Sequence, residues 1–173
     1  MVSLVNHYEA AFGQWLAENR VQHIGVDQTR RRRFARDRLK SFDFVLYPDG
    51  RRLLLAEVKG RGFSGPVLRN LSGLQNWVTR EDIRGLLQWQ QVFQRQEPAA
   101  DALLVFAYDL RRVEIETDGA ETFEYDRRRY AFYGVRLEDY ARNMTCRSPR
   151  WQTVMLPMEP FRKLAKPIRQ WIK

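Results

Sequence analysis

Residues 41–60 read SFDFVLYPDGRRLLLAEVKG, and no other stretch restricts the fold of the chain as tightly. Two apolar, β-rich runs flank a Pro-Asp-Gly turn signal, and the simplest structure for that pattern is a β-hairpin. Side chains alternate along a strand, so Glu57 and Lys59 fall on one face. Asp43 lies on the partner strand, where the same sheet face brings it beside Glu57. Buried charges are costly unless they are paired or hold a metal. Two carboxylates and an ammonium converging on an otherwise apolar sheet therefore call for an explanation, and a hard divalent cation supplies one.

The remaining composition limits what such a hairpin can belong to. At 173 residues the chain fits a single domain spanning 1–173, long enough to bury a substantial core. No apolar run approaches the roughly 18 residues that span a bilayer, and MVSLVNHYEAAF lacks the basic start of a signal peptide. With Cys146 as the one cysteine, an intramolecular disulfide and a thiolate zinc site are ruled out. His7 and His23 are too few and too separated for a histidine metal cluster. The expectation is a cytoplasmic protein that does not enter membranes. A net charge of +9 favours a polyanionic partner, although a general preference for arginine would also produce it. Lysine occurs only at 40, 59, 163, 166 and 173. A lysine at 59 in an arginine-rich chain fits a position where a compact ammonium is required.

Along the chain, Leu4, Val5, Tyr8, Phe12, Trp15 and Leu16 share one face of a helix expected over 3–20. Glu9 lies at the edge of that face, where an ordinary flanking glutamate is the simplest reading. VQHIGV reads as a short first strand. The run TRRRRFARDRLK, with Arg31 and Arg33, is either a solvated edge or a phosphate-contacting segment. After the hairpin, GRGFSGPVLRNLSGLQNW reads as a long loop from which Arg61, Arg69 and Trp77 could touch a backbone or a base. Packing of Trp77 on the core is the plainer alternative. Thr79 opens a helix with Asp82 as its capping-box partner and Val78 and Ile83 as a hydrophobic staple. Gln90 falls in the apolar stripe of that helix, where it must find hydrogen-bond partners. ALLVFAY at 102–108 suits a central strand covered on both faces. RRVEIE, TFEYD, YAFYGVRL and WQTVMLP read as further strands, LEDYARNM as a short helix and FRKLAKPIRQWI as an end helix interrupted by Pro167.

The order so far is helix, three strands, helix, strand. That order, with Asp43, Glu57 and Lys59, resembles the PD-(D/E)XK nuclease superfamily, in which an Asp and a Glu-x-Lys on adjacent strands act on phosphodiesters. Phe42 stands where many members carry Pro. The segment HYEAAF, with SFDF, the Glu-Val-Lys-Gly-Arg run and the NWVT-to-LLQWQ stretch, is similar to an uncharacterised bacterial HYExAFE-type group. Gly13 replaces the final glutamate of that signature. The resemblance implies an α/β fold with a restriction-endonuclease-like αβββαβ core, a central mixed sheet flanked by helices, and added C-terminal strands and helix. It implies Mg²⁺, with Mn²⁺ as a substitute, held by Asp43, Glu57 and the carbonyl of Val58. Glu9 on the first helix would be aimed at the same metal, and Gln90 on the second would position water or substrate. Lys59 would orient the attacking hydroxide or stabilise the transition state. The implied activity is hydrolysis of nucleic acid, DNA before RNA, with Arg31, Arg33, Arg61 and Arg69 as phosphate contacts and homodimerisation left open. The alternative is a catalytically inactive nucleic-acid-binding module on the same scaffold. A third reading, an α/β interaction domain with an exposed Glu57–Lys59 pair, sits poorly with the apolar context of LLLAEV.

Overall fold

The computed structural model describes residues 6–26 and 40–173. It is a mixed α/β protein with four α-helices among the described residues. Helix α1 (His7–Glu18) begins where the Asn6 side chain accepts the Tyr8 N–H, a standard helix start. Strands β1 (Gln22–Gly25), β2 (Phe44–Tyr47) and β3 (Leu54–Phe63) follow, then β4 (Val78–Thr79), helix α2 (Arg80–Gln94) and β5 (Asp101–Leu110). The rest comprises β6 (Phe123–Tyr125), β7 (Arg128–Arg136), α3 (Leu137–Asn143), β8 (Thr145–Ser148), β9 (Thr153–Met155), α4 (Met158–Leu164) and β10 (Lys166–Pro167).

One seven-stranded sheet runs in the order β1-β2-β3-β5-β7-β10, with β6 added beside β7. The expected hairpin is there: β2 pairs antiparallel with β3, Phe44 opposite Ala56. The crossover from β3 through α2 returns the chain to β5, which pairs parallel with β3 in register from Leu54–Asp101 to Phe63–Leu110. A parallel pair needs such a crossover, and α2 supplies it. Both faces of the central strands are covered. Leu54, Ala56, Val58, Leu103, Val105 and Ala107 face α1 with Phe12, Trp15 and Leu16. Leu55, Leu104, Phe106 and Tyr108 face the other layer with Ile83 and Leu86 of α2, Tyr140 of α3 and Phe161 of α4. Double coverage is why β5 is a continuous apolar run instead of an alternating one.

Three expectations are corrected. The stretch read as a loop from Gly60 is still strand, because β3 continues to Phe63 along β5. Its glycines are positions where other groups cross the backbone: a Cβ on Gly60 would lie 2.0 Å from the Tyr8 ring, and one on Gly62 would lie 2.4 Å from the Arg111 guanidinium. RRVEIE forms no strand; β6 and β7 fill the sheet at this end, Val113 is 94% exposed, and only Glu116 makes an isolated bridge to Val67. The final helix stops at Leu164, after which Lys166–Pro167 pairs with β7 as an edge strand, a place where proline is tolerated. A second small sheet, β4-β9-β8, joins the N-terminus of α2 to the C-terminal hairpin. Among the described residues no helix is long and apolar enough to cross a membrane.

Candidate active site

The β2–β3 register ends at Phe44 and Ala56, with one further bond from the Asp43 N–H to the Ala56 carbonyl at 3.0 Å, whereas β3 runs on to Phe63. Asp43 sits where the two strands part. Phe42 and Val45 both enter the core on the α2 side although they are three residues apart, so the two-residue alternation is broken between them. The Asp43 carboxylate accepts the Val58 N–H at 2.7 Å. It thus takes up a backbone donor that β2 no longer reaches. In an extended residue the carbonyl points to the same edge as the N–H, so the Val58 carbonyl points to the β2 edge as well.

Glu57 and Lys59 share the parity of Leu55 and project toward α2. Lys59 Nζ donates to Glu57 Oε1 at 2.8 Å and lies 3.0 Å from Asp82 Oδ1. Asp43, Glu57 and Asp82 are 5%, 7% and 4% exposed, so three carboxylates are withdrawn from water, two of them bound to the half-buried Lys59 ammonium. Lys40 Nζ also binds Asp82 Oδ1. The segment carrying Lys40 comes close to α2 at Gly85, where a Cβ would lie 3.1 Å from the Lys40 backbone oxygen, and the Lys40 carbonyl accepts the Trp89 indole N–H at 2.9 Å.

The charges decide the protonation states. Burial pushes Glu57 up and the Asp43 charge pushes it further, so that against the opposing Lys59 it reaches about 7. Burial works against the Lys59 cation, but Glu57 and Asp82 outweigh it and raise its pKa, keeping it protonated. Burial would also raise Asp82, yet Lys59, Lys40 and the Thr79 N–H hold it down at about 2. Asp82 has a second role in the predicted capping box: the Thr79 hydroxyl accepts the Asp82 N–H at 3.0 Å while Asp82 Oδ2 accepts the Thr79 N–H at 2.9 Å.

Gln90, Arg61 and Arg69 make their contacts elsewhere, and Glu9 lies on α1. Glu9 is half-buried in the first turn of that helix, one residue after Tyr8, whose ring packs over Gly60 next to Lys59. Gln90 is two turns beyond Asp82, roughly 12 Å along the helix. Its amide donates to Asp101 and Glu138 at 3.4 and 3.3 Å, within a cluster closed by Arg136 on Asp101. Arg61 stacks on Trp77 at 3.8 Å from the ring centre and binds the carbonyls of Gly60 and Trp77, so its guanidinium is committed to the protein. Arg69 is exposed and pairs with Asp118 and Glu116. Arg31 and Arg33 lie outside the described residues. Sequence reading did not assign Asp82 and Lys40 to the site. The scarcity of lysine that singles out Lys59 applies equally to Lys40 and was the available signal.

Among the described residues no group of three or more His, Cys, Asp or Glu side chains could by itself hold a metal ion. Asp43 and Glu57 nevertheless suit a hard cation: they are buried oxygen donors, Glu57 is raised by burial first and by the Asp43 charge second, and the Val58 carbonyl adds a neutral oxygen at the same edge. The chain matches no model of a known protein family and no curated protein.

Proposed function

We propose that the protein is a Mg²⁺-dependent phosphodiesterase that hydrolyses nucleic acid, DNA before RNA, on a restriction-endonuclease-like core. One observation carries this reading: where β2 leaves β3, the buried Asp43 and Glu57 carboxylates repel one another and Glu57 holds the half-buried Lys59. The run α1, β1, β2, β3, α2, β5, interrupted before α2 by the two-residue β4 and with β3 parallel to β5, supports the core assignment. A purely structural role explains the cluster poorly, because a stable core gains little from three buried carboxylates served by two lysines.

Asp43, Glu57 and the Val58 carbonyl would hold Mg²⁺, with Mn²⁺ as a substitute. Such an ion supplies a water of lowered pKa and neutralises charge building on the phosphoryl oxygens. Glu57 at about 7 loses its proton readily as a cation approaches, so cation affinity should rise with pH up to that value. Lys59 remains an ammonium between Glu57 and Asp82, which suits a fixed positive charge beside the phosphoryl group better than a proton acceptor. Asp82 positions Lys59 by anchoring it to the first turn of α2. Gln90, held by Asp101 and Glu138, needs no part in these steps. The test is digestion of plasmid, single-stranded and branched DNA with Mg²⁺ or with EDTA. Magnesium-dependent cleavage of any of them supports the reading, and DNA binding without cleavage would favour the inactive binding module.

A further inference from the structure

The β8–β9 hairpin carries Trp151 at its tip, 67% exposed, whereas Trp15 is fully buried and the other three tryptophans are partly covered. The turn is built firmly. The Ser148 hydroxyl accepts the Trp151 N–H at 3.3 Å, Gln152 takes a left-handed φ of 50°, and its amide donates to the Pro149 carbonyl at 2.8 Å. The hairpin is tied to the candidate site along two routes. Its Gln152 carbonyl accepts the Arg80 N–H at 2.8 Å, two residues before Asp82 on α2. Across the sheet, Arg61, two residues after Lys59, stacks on one Trp77 ring that Arg147 of β8 also approaches at 5.0 Å. Arg147 and Arg150 are exposed, and Arg150 lies 5.2 Å from the Trp151 ring.

A hydrogen-bonded turn holding an exposed indole among arginines, and bonded to the helix start that carries Asp82, has the composition of a base-stacking platform. A base inside a duplex is covered on both faces, so an indole on a hairpin tip can stack only on an unpaired or terminal base. We propose that Trp151 stacks on an unpaired nucleobase and that Arg147 and Arg150 contact the flanking phosphates, giving the protein a preference for single-stranded or frayed nucleic acid. The inference rests on the nucleic-acid reading above and adds the form of the substrate.

The test is anisotropy of labelled oligo(dT) and of a blunt duplex of equal length, in Ca²⁺, with wild type, Trp151→Phe and Trp151→Ala. Cleavage by wild type in Mg²⁺ is assayed in parallel. Expected are tighter binding of the single strand, a loss of roughly 5- to 100-fold in Trp151→Ala, and near-retention of affinity in Trp151→Phe. Binding should quench tryptophan emission in wild type and less so in Trp151→Phe. Equal affinity of wild type and Trp151→Ala for the single strand overturns the inference while leaving the proposed activity standing. So does a change of oligomeric mass in Trp151→Ala with DNA affinity unchanged, which would assign the indole to a protein contact. Single-strand binding that depends on Trp151 but comes without cleavage supports the platform and overturns the cleavage reading. Failure of wild type to bind either DNA overturns the platform together with the nucleic-acid reading.

Discussion

At the scale of the residue, Glu57 is the most informative group. Its pKa of about 7 against an ordinary 4.5 means that the folded protein keeps a proton the unfolded chain gives up in that window. Stability of the metal-free protein is therefore full below the ordinary value and falls as pH rises toward the folded one, by up to roughly 3 kcal/mol. Glu57→Gln should remove this slope. Thermal melts in EDTA at about pH 5 and about pH 8 should show wild type losing more stability than the variant; parallel losses would contradict the buried-carboxylate account. Asp43→Asn retains an acceptor for the Val58 N–H but loses the charge. It should abolish cleavage with a melting temperature close to wild type, and cleavage at the wild-type rate would remove Asp43 from the site. Asp43, Glu57 and Lys59 were legible because charge is conspicuous inside apolar strands. Asp82 was only half legible: its helix-capping signature announces a local function, and nothing in the local sequence shows that β3 will deliver Lys59 to it.

At the scale of the element, the start of α2 bears two loads, closing the helix and fixing Lys59. The two separate by mutation. Thr79→Ala should cost about 1 kcal/mol, the usual value of a cap. Asp82→Ala should cost about 3 kcal/mol or more, because it also removes a buried partner of Lys59. Chemical denaturation of both variants decides it, and equal losses would mean that Asp82 is a cap and nothing else. Elements with strong periodicity or capping chemistry, such as α1, the β2–β3 hairpin, α2 and β5, could be read from the chain. The end of β3 could not, since Gly60 and Gly62 mimic a loop and their reason is a ring from α1 and a guanidinium from beyond β5. Strand β8 was also missed: its four residues are half exposed to exposed, and they form a strand only because β9 pairs with them.

At the scale of the molecule, the sheet separates two layers, with α1 on one side and α2, α3 and α4 on the other. This arrangement turns Lys59 toward Asp82 on the α2 side while α1 packs on the other, a relation that one-dimensional periodicity does not carry. It also divides the arginines. Arg61 belongs to a stack with Trp77 and Arg147, so Arg61→Ala should lower the melting temperature and leave the salt dependence of DNA binding nearly unchanged. If the 30–38 run contacts phosphates, Arg31→Ala and Arg33→Ala should each reduce the slope of log K against log salt by roughly 0.7 to 0.9. Binding titrations across a salt series separate the two classes, and a reduced slope in Arg61→Ala would contradict the stacking assignment.

The measurement closest to the central claim is cleavage of plasmid, single-stranded and branched DNA by wild type and Asp43→Asn, each with Mg²⁺ and with EDTA. The account predicts cleavage by wild type in Mg²⁺ alone and none by the variant under either condition. No cleavage of any of the three DNAs by folded wild type in Mg²⁺ or Mn²⁺, or equal cleavage with EDTA, would contradict it.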